Sequence, residues 1–305
     1  MPIREVARDL GIPVPVIAAV RGELESRGLL TRGAGIALTE EGVRVVEDEV
    51  GLKCRSVFPV TPPSIPTELT GVSEALAIHA SRRPEVDQTL DQSHATCETA
   101  IRRAVYLYEN DALEGRSLLF LGDDDLTSLS VALVARALGM GLIEMVVADV
   151  DPRLVTFIND TASAEGLSIE AFHHDLRSPL PTERTGRFDA FFTDPPYTLD
   201  GLALFVSRGV EALIPEVGKQ GFVCFGRRSP AETFGMVDRI LRSGLAPVEI
   251  LPTFNDYVGA QLLAGQSQMI RCVSTGSGEP IVLGRYDGPI YTADFRKGRR
   301  RGRPS

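Results

Sequence analysis

Apolar residues follow two alternating patterns through most of the chain after residue 110. Short apolar runs, typical of buried strands, are found at 117–121, 143–149, 168–173, 188–193, 221–225 and 247–252. The stretches between them, such as 126–138 and 152–165, place apolar residues three and four positions apart, as the buried face of a helix does. This alternation predicts an α/β fold: a mainly parallel, Rossmann-like, doubly wound sheet with helices on both faces.

Residues 1–50 follow a different pattern. Helical spacing of apolar residues stops at Gly11 and again near Gly28, and the segment "LLTRGAGIALTEEG" predicts a short two-stranded wing followed by a capped helix. This order resembles a winged helix-turn-helix domain. This segment contains six arginines and nine acidic residues, so its net charge is negative. Its predicted recognition helix opens with "IPVPVI", which offers no hydrogen-bond donors to base edges. We therefore expect a packing or dimerisation module rather than a DNA-binding one.

Three further boundaries follow from composition. Residues 51–66 contain four prolines and predict a linker. Two helices, near 67–82 and 96–109, should precede the strands, so that the Rossmann-like domain extends over 67–295. The segment 296–305 holds six basic side chains and few apolar ones, which predicts a disordered basic tail.

The charge and the cysteines limit the classes of function. Removing the six positive charges of the tail from the net charge of −9 leaves −15, and such an acidic body repels nucleic acid. No window approaches the ~18 uninterrupted apolar residues of a membrane span, and no secretory signal is visible, so we expect a cytoplasmic protein. The four cysteines lack C-x-x-C spacing and His173–His174 has no third ligand nearby, so we predict no metal site.

Acidic residues follow the ends of four predicted strands in succession. They are the triplet Asp123, Asp124 and Asp125 after Gly122, then Asp149, Asp175 and Asp194. The carboxyl ends of parallel strands meet at one edge of a sheet, where ligands bind. Asp149 is placed to accept ribose hydroxyls, and Asp175 lies where many such folds bind an adenine amino group. The set resembles the class I S-adenosylmethionine-dependent transferase fold. Asp151, before Pro152, predicts only a helix cap.

The tetrapeptide "DPPY", residues 194–197, narrows the chemistry. In amino-methyltransferases acting on adenine or cytosine, [DN]-P-P-[FY] places the target nitrogen beside the sulfonium of the cofactor. The sequence therefore predicts alkylation of a nitrogen. A nucleic-acid methyltransferase is the main alternative, although the acidic body argues against it. A non-catalytic sensor of polyamine or nucleoside would need many of the same groups and is a further alternative.

The aspartate triplet distinguishes this loop from that of ordinary methyltransferases, which use glycines beside the methionine carboxylate of the cofactor. Like charges in a desolvated site repel strongly. Decarboxylated S-adenosylmethionine lacks that carboxylate and keeps an ammonium group, and polyamines are chains of ammonium groups. The triplet therefore predicts cationic ligands.

Four segments together carry a closer resemblance: "DQSHAT" (91–96), "LGDDDLTSL" (121–129), "DPPYT" (194–198) and "FNDY" (254–257). In this order they are similar to the branched-chain polyamine synthases, the N4-bis(aminopropyl)spermidine synthases of thermophilic archaea and bacteria. The resemblance implies a homodimer without a prosthetic group. It also implies that decarboxylated S-adenosylmethionine, as co-substrate, donates aminopropyl groups to the internal secondary amine of spermidine. The products are branched N4-(bis)aminopropylspermidine and methylthioadenosine.

On this basis we predict that Asp125 and Asp194 are the catalytic pair that flanks the acceptor nitrogen. The residues predicted to bind the donor are Gly122, Asp123, Asp149, Asp175 and His94. Those predicted to bind the polyamine are Asp124, Pro195, Tyr197 and Asp256.

Several roles remain open at this level. Either Asp123 or Asp124 could instead cap the next helix, and His94 or Tyr197 could be structural. The family favours the longer Glu at the position of Asp256, which leaves its reach to an ammonium group open. The stretch after residue 258 could form a lid over the polyamine or complete the sheet.

Overall fold

The computed structural model describes residues 1–3, 6, 14–33, 35–52, 65–141, 144–226, 229–258, 266–292 and 294. The chain divides into two compact units, Met1–Arg55 and Ser56–Ser305. No helix in these described ranges is both long enough and apolar enough to cross a membrane.

The first unit contains helix α1 (Val14–Ser26), one antiparallel bridge between Leu30 and Leu38, and the short helix α2 (Glu40–Arg44). A π-helical turn (Val45–Glu49) continues α2. The bridge lies where a wing is predicted. Most of the first predicted helix and most of the linker 51–66 lie outside the described residues, and so does the whole basic tail 296–305. The winged-helix assignment therefore stays a prediction.

Within the described part of the second unit, seven strands form one sheet. They are β1 (Ser117–Leu121), β2 (Glu144–Asp149), β3 (Ile169–His173), β4 (Ala190–Thr193), β5 (Val217–Gly226), β6 (Leu245–Asp256) and β7 (Gln266–Thr275). Their order is β3-β2-β1-β4-β5-β7-β6. The first five strands of this order are parallel, and β7 pairs antiparallel with both β5 and β6. The predicted α/β sheet is confirmed.

Helices pack against both faces of this sheet. They are α3 (Thr70–Ala80), α4 (Cys97–Glu109), α5 (Thr127–Leu138), α6 (Pro152–Glu165), α7 (Leu199–Ala212) and α8 (Pro230–Arg242). Leu118 and Phe120 of β1 belong to the apolar layer formed with α3, α4, α5 and α6, whereas Leu119 and Leu121 belong to the layer formed with α7 and α8. Strand β1 is therefore buried on both faces, which explains its uninterrupted apolar run.

The part of the chain after residue 258 completes the sheet through β7, one of the two possibilities left open by the sequence. Its segment, "QSQMIRCVST", mixes Gln, Arg and Ser with apolar residues and shows no clear run. Asp151 caps α6 as predicted: its carboxylate accepts a hydrogen bond from the N–H of Arg153 at 3.0 Å, and Pro152 is the first helical residue.

Two glycines in helices allow a matched test of packing. A Cβ on Gly209 of α7 would lie 2.6 Å from ring atoms of Phe191, whereas a Cβ on Gly71 of α3 would meet nothing within 4 Å. We expect Gly209→Ala to lower the free energy of unfolding by ~1–3 kcal/mol through overpacking. Gly71→Ala should leave it unchanged or raise it by up to ~1 kcal/mol. Chemical denaturation measures both, and equal stability of the two variants would contradict this packing.

Candidate functional site

A pocket opens at the carboxyl ends of β1, β2, β3 and β4, where the strand order reverses between β1 and β4. This is the position at which doubly wound sheets bind ligands. The lining residues are Leu90, Asp91, Gln92, Gly122, Asp124, Ala148, Asp149, Val150, His174, Asp175, Leu176, Asp194, Pro196, Phe205, Ile290 and Tyr291. Among these described residues five are aspartates and none is lysine or arginine. The pocket therefore favours cations.

The loop after β1 gives its three aspartates different surroundings. Gly122 adopts a φ of 73° and donates its N–H to the carbonyl of Ala148 at 2.9 Å. Asp123, only 2% exposed, turns back to cap α5 by accepting from the N–H of Thr127 at 2.7 Å and from the hydroxyl of Ser128 at 2.5 Å. Burial raises the pKa of Asp123 to about 8, while these hydrogen bonds oppose that rise. The structure thus places Asp123 in a helix cap rather than on the pocket wall.

Asp124 and Asp149 face the pocket from neighbouring strand ends. Asp124 accepts a hydrogen bond from the N–H of Ser93 at 3.0 Å. Burial, reinforced by the nearby carboxylates, raises the pKa of Asp124 well above its ordinary value. Asp149 accepts from the N–H groups of Asp123 at 2.9 Å and Asp151 at 2.8 Å, and burial raises its pKa as well. A cation entering the pocket would favour the charged form of both groups.

Asp175 lines the pocket next to residues from the segment after β7, which sequence analysis did not predict to be there. Asp175 accepts a hydrogen bond from the N–H of Arg177 at 3.0 Å. Ile290 and Tyr291, from the segment after β7, complete the wall, and both are buried. The guanidinium of Arg177 lies 5.1 Å from the ring centre of Tyr291. We call residues 286–294 the C-terminal strap.

The C-terminal strap is held at both sides of the pocket. The N–H of Thr292 donates to the carboxylate of Asp91 at 2.7 Å, and the hydroxyl of Thr198 donates to the carbonyl of Ile290 at 2.7 Å. Because these contacts join distant parts of the chain, no local sequence signal could have placed the strap here.

Behind Asp194 lies Arg103 of α4, whose side chain is fully buried. Its guanidinium donates to Asp194 at 2.7 Å and to Asp125 at 2.5 Å. Asp125 is 5% exposed and does not line the pocket, whereas Asp194 does. The two predicted catalytic carboxylates are thus brought together, but only Asp194 faces the ligand space. Sequence analysis missed Arg103, although it occupies the apolar face of α4 between Ala100 and Leu107, where an arginine is unusual.

Two tyrosines extend this cluster. The hydroxyl of Tyr197 donates to that of Tyr257 at 2.8 Å, and Tyr257 donates to Asp194 at 2.5 Å. Tyr257, the last residue of "FNDY", was not singled out from the sequence. Pro195 is buried and does not line the pocket, a position that Pro196 takes instead.

His94 and Asp256 lie away from the pocket lining. The carbonyl of His94 accepts a hydrogen bond from the N–H of Val258 at 2.8 Å, so "DQSHAT" and "FNDY" are paired. Burial, followed by the charge of Arg83, lowers the pKa of His94 to about 4. Asp256 pairs with Arg102 at 3.4 Å and accepts from the side-chain amide of Gln266 at 2.9 Å. The described residues contain no cluster of three or more His, Cys, Asp or Glu side chains arranged to hold a metal.

Comparisons with known proteins converge on one family. Residues 72–275 match the family model for the C-terminal domain of branched-chain polyamine synthase A. An uncharacterized protein of Methanocaldococcus jannaschii is 37% identical over 297 residues, which cover 95% of this chain and 73% of that protein. The N(4)-bis(aminopropyl)spermidine synthase of Thermus thermophilus is 36% identical over 220 residues, which cover 72% of this chain and 61% of that enzyme.

A solved structure gives the same result. The crystal structure of the branched-chain polyamine synthase from Thermus thermophilus, in complex with N4-aminopropylspermidine and 5'-methylthioadenosine, matches with a TM-score of 0.66 and 28% sequence identity. The match covers 92% of this chain and 85% of that chain.

Proposed function

Because this chain belongs to the branched-chain polyamine synthase family, we propose that it is an aminopropyltransferase. It moves aminopropyl groups from decarboxylated S-adenosylmethionine to the internal secondary amine of spermidine and releases methylthioadenosine. The product is N4-aminopropylspermidine or, after a second transfer, its bis(aminopropyl) form. The observation that carries this proposal is the pocket itself, which presents five aspartates and, among its described lining residues, neither lysine nor arginine.

The donor fits the part of the pocket between β2 and the C-terminal strap. In this proposal Asp149 accepts hydrogen bonds from the ribose hydroxyls, and Asp175 accepts one from the adenine amino group. Val150, Leu176 and Tyr291 supply apolar surface for the base. The bound methylthioadenosine of the Thermus thermophilus synthase supports a thioether nucleoside as the leaving product.

The acceptor must approach Asp194. The reaction is an in-line displacement at the carbon attached to the sulfonium: a new C–N bond forms, the C–S bond breaks, and its electron pair goes to sulfur. The secondary amine therefore needs a free lone pair and must lose a proton. Asp194 accepts the hydrogen bond or the proton of this amine, with Asp125 behind it, and its negative charge stabilises the positive charge that stays on nitrogen.

The direct test is incubation of the full chain with spermidine and decarboxylated S-adenosylmethionine, followed by mass spectrometry. We expect products heavier than spermidine by one or two C3H7N units, together with methylthioadenosine. Fragmentation must place the new group on the internal nitrogen. Transfer of a methyl group from S-adenosylmethionine to nucleic acid, in place of this product, would contradict the proposal and support the alternative methyltransferase.

The oligomeric state belongs to the same proposal. The resemblance to the family implies a homodimer, and a symmetric pair is the commonest assembly of soluble proteins. Light scattering after size exclusion measures the mass of the particle. A monomeric mass at working concentrations would contradict the proposed homodimer but not the proposed aminopropyl transfer.

The C-terminal strap allows a prediction about the donor site. Removing the Tyr291 side chain by Tyr291→Ala should weaken binding of methylthioadenosine about tenfold, because a buried aromatic wall is lost. Tyr291→Phe keeps the ring and should bind within about twofold of the unaltered chain. Leu283→Ala, at a residue that is 76% exposed, is the matched control outside the pocket. Calorimetry measures all three, and unchanged binding by Tyr291→Ala would exclude this wall from the nucleoside site.

A further inference from the structure

Arg103 uses its whole hydrogen-bonding capacity inside the protein. A guanidinium carries five N–H donors in a rigid fork. The acceptors are the side chains of Asn255 at 2.8 Å from Nε, Asp125 at 2.5 Å and Thr127 at 3.1 Å from Nη1, and Asp194 at 2.7 Å and Tyr257 at 3.0 Å from Nη2. With five contacts for five donors, the orientation of this buried cation is fixed.

The two carboxylates that Arg103 joins are not equivalent. Both oxygens of Asp125 are engaged, Oδ1 by the N–H of Ala95 at 2.5 Å and Oδ2 by Arg103. In Asp194, Oδ2 receives both Arg103 and Tyr257. Among the described residues no N–H or hydroxyl group donates to Oδ1 of Asp194; the carboxyl group of Asp125 is in side-chain contact with Asp194, which lines the pocket. One oxygen of Asp194 is therefore held while the other is available to a ligand.

We propose, on the basis of the function proposed above, that Arg103 is the positioning residue that gives the two carboxylates different roles. It holds Asp125 in place within the protein and presents Oδ1 of Asp194 to the secondary amine of the acceptor. Arg103 itself does not touch the substrate, which explains why a fully buried cation is compatible with a pocket for cations.

The positive charge of Arg103 also affects the pKa of Asp194. Burial raises the pKa of Asp194 to about 6, the charge of Arg103 lowers it, and the neighbouring Asp125 raises it. Among the described residues, the titratable or charged groups that face Asp194 are Arg103 from α4, Asp124 and Asp125 from the loop after β1, Tyr197, Cys224 from β5, and Tyr257, while the charge of Arg83 acts on Asp124 and Asp125. Arg103 is the cation of this group, so without it Asp125 and Asp194 would approach an acid pair that shares one proton.

The test replaces the planar guanidinium of Arg103 by the single ammonium group of a lysine. Arg103→Lys keeps the positive charge but cannot reach five acceptors. For Arg103→Lys we expect the kcat with spermidine to fall at least ~10-fold and the acid limb of the kcat/KM profile to move to higher pH. The affinity for methylthioadenosine should stay within about twofold of that of the unaltered chain. Arg136→Lys, at an exposed position of α5 paired with Glu165, is the matched control and should change neither kcat nor the pH profile. Equal rates and equal pH profiles for the two variants would overturn the proposal.

A second measurement does not depend on the reaction. NMR of ¹³C-labelled aspartate carboxyl groups, assigned with Asp194→Asn, follows the titration of Asp194 in the free protein. Its midpoint should rise in Arg103→Lys and fall in Asp125→Asn, because the second change removes a like charge but leaves Arg103 in place. If Arg103→Lys does not fold, Asp125→Asn still tests the arrangement. Absence of transfer to spermidine by the unaltered chain would refute the proposed function, whereas an Asp194 titration that ignores both changes would refute the role of Arg103.

Discussion

Asparagine in place of Asp194 should lower the turnover number with spermidine at least ~100-fold, the scale of a positioned acid–base group. The amide has nearly the shape of the carboxylate and can still accept hydrogen bonds from Arg103 and Tyr257 through one oxygen. What is lost is the negative charge that meets the attacking amine. Single-turnover kinetics with saturating donor measures the effect.

Asp175→Asn is the matched comparison, because it alters a carboxylate at the other end of the same pocket. We expect it to raise the KM of the donor about tenfold with kcat changed by less than about threefold, since in the proposed site Asp175 would contact the nucleoside equally in the ground and transition states. A turnover of Asp194→Asn within threefold of normal would remove Asp194 from the chemistry.

The pH dependence follows from the same group. The pKa of Asp194 is raised by burial to about 6 in the free protein, and only the ionised form can take up the proton of the amine or place a negative charge beside it. The contribution of Asp194 to kcat/KM is therefore present above pH 6 and is lost as the pH falls through that value. In Asp194→Asn this acid limb disappears, while the rise at higher pH, which reports loss of the amine proton, remains.

We expect carboxylated S-adenosylmethionine to bind at least ~100-fold more weakly than the decarboxylated donor, because in the proposed site its extra carboxylate would enter the part of the pocket lined by Asp124 and Asp194. Two like charges about 4 Å apart repel by ~4 kcal/mol at an effective dielectric constant of 20, which exceeds the energy needed for that ratio. Calorimetry with both donors measures the ratio directly.

Asp124→Asn gives this prediction its control. A bound cationic donor favours the ionised form of Asp124, so the substitution removes one negative charge from the occupied pocket and should reduce the ratio of the two donor affinities about tenfold. Binding of methylthioadenosine, which carries neither the carboxylate nor the ammonium group, should change by less than about threefold. Equal affinity for the two donors would show that the acidic lining does not select the donor.

The sequence predicted those parts of the site that local patterns determine. Asp149 ends its strand, Asp175 and Asp194 follow theirs by one or two residues, and an edge of parallel strands brings such residues together whatever the details of packing. The direction of each side chain within the triplet was not predictable in this way. Gly122 and Leu126 both adopt a positive φ, and this backbone turns Asp123 toward α5 and Asp124 toward the pocket.

Contacts between distant segments set the limit of prediction. Arg103 carried a local signal, because it is a charged residue on the apolar face of a helix. Its hydrogen-bond acceptors, however, lie in three other segments of the chain, 125–127, 194 and 255–257. The C-terminal strap carried none, because Asp91 and Thr292 are 201 positions apart and meet only through the fold. The match to the family model covers residues 72–275 and therefore does not reach this part of the pocket.

The capping role of Asp123 affects how mutagenesis of this loop should be interpreted. A scan that records activity alone would report losses at all three aspartates and suggest three participants in one event. The loss at Asp123 would come from a destabilised first turn of α5. The loss at Asp124 would come from weaker ligand binding, and the loss at Asp125 from displacement of the Arg103 guanidinium. Melting temperature, ligand affinity and proton titration, measured side by side, separate three causes that an assay of product would merge.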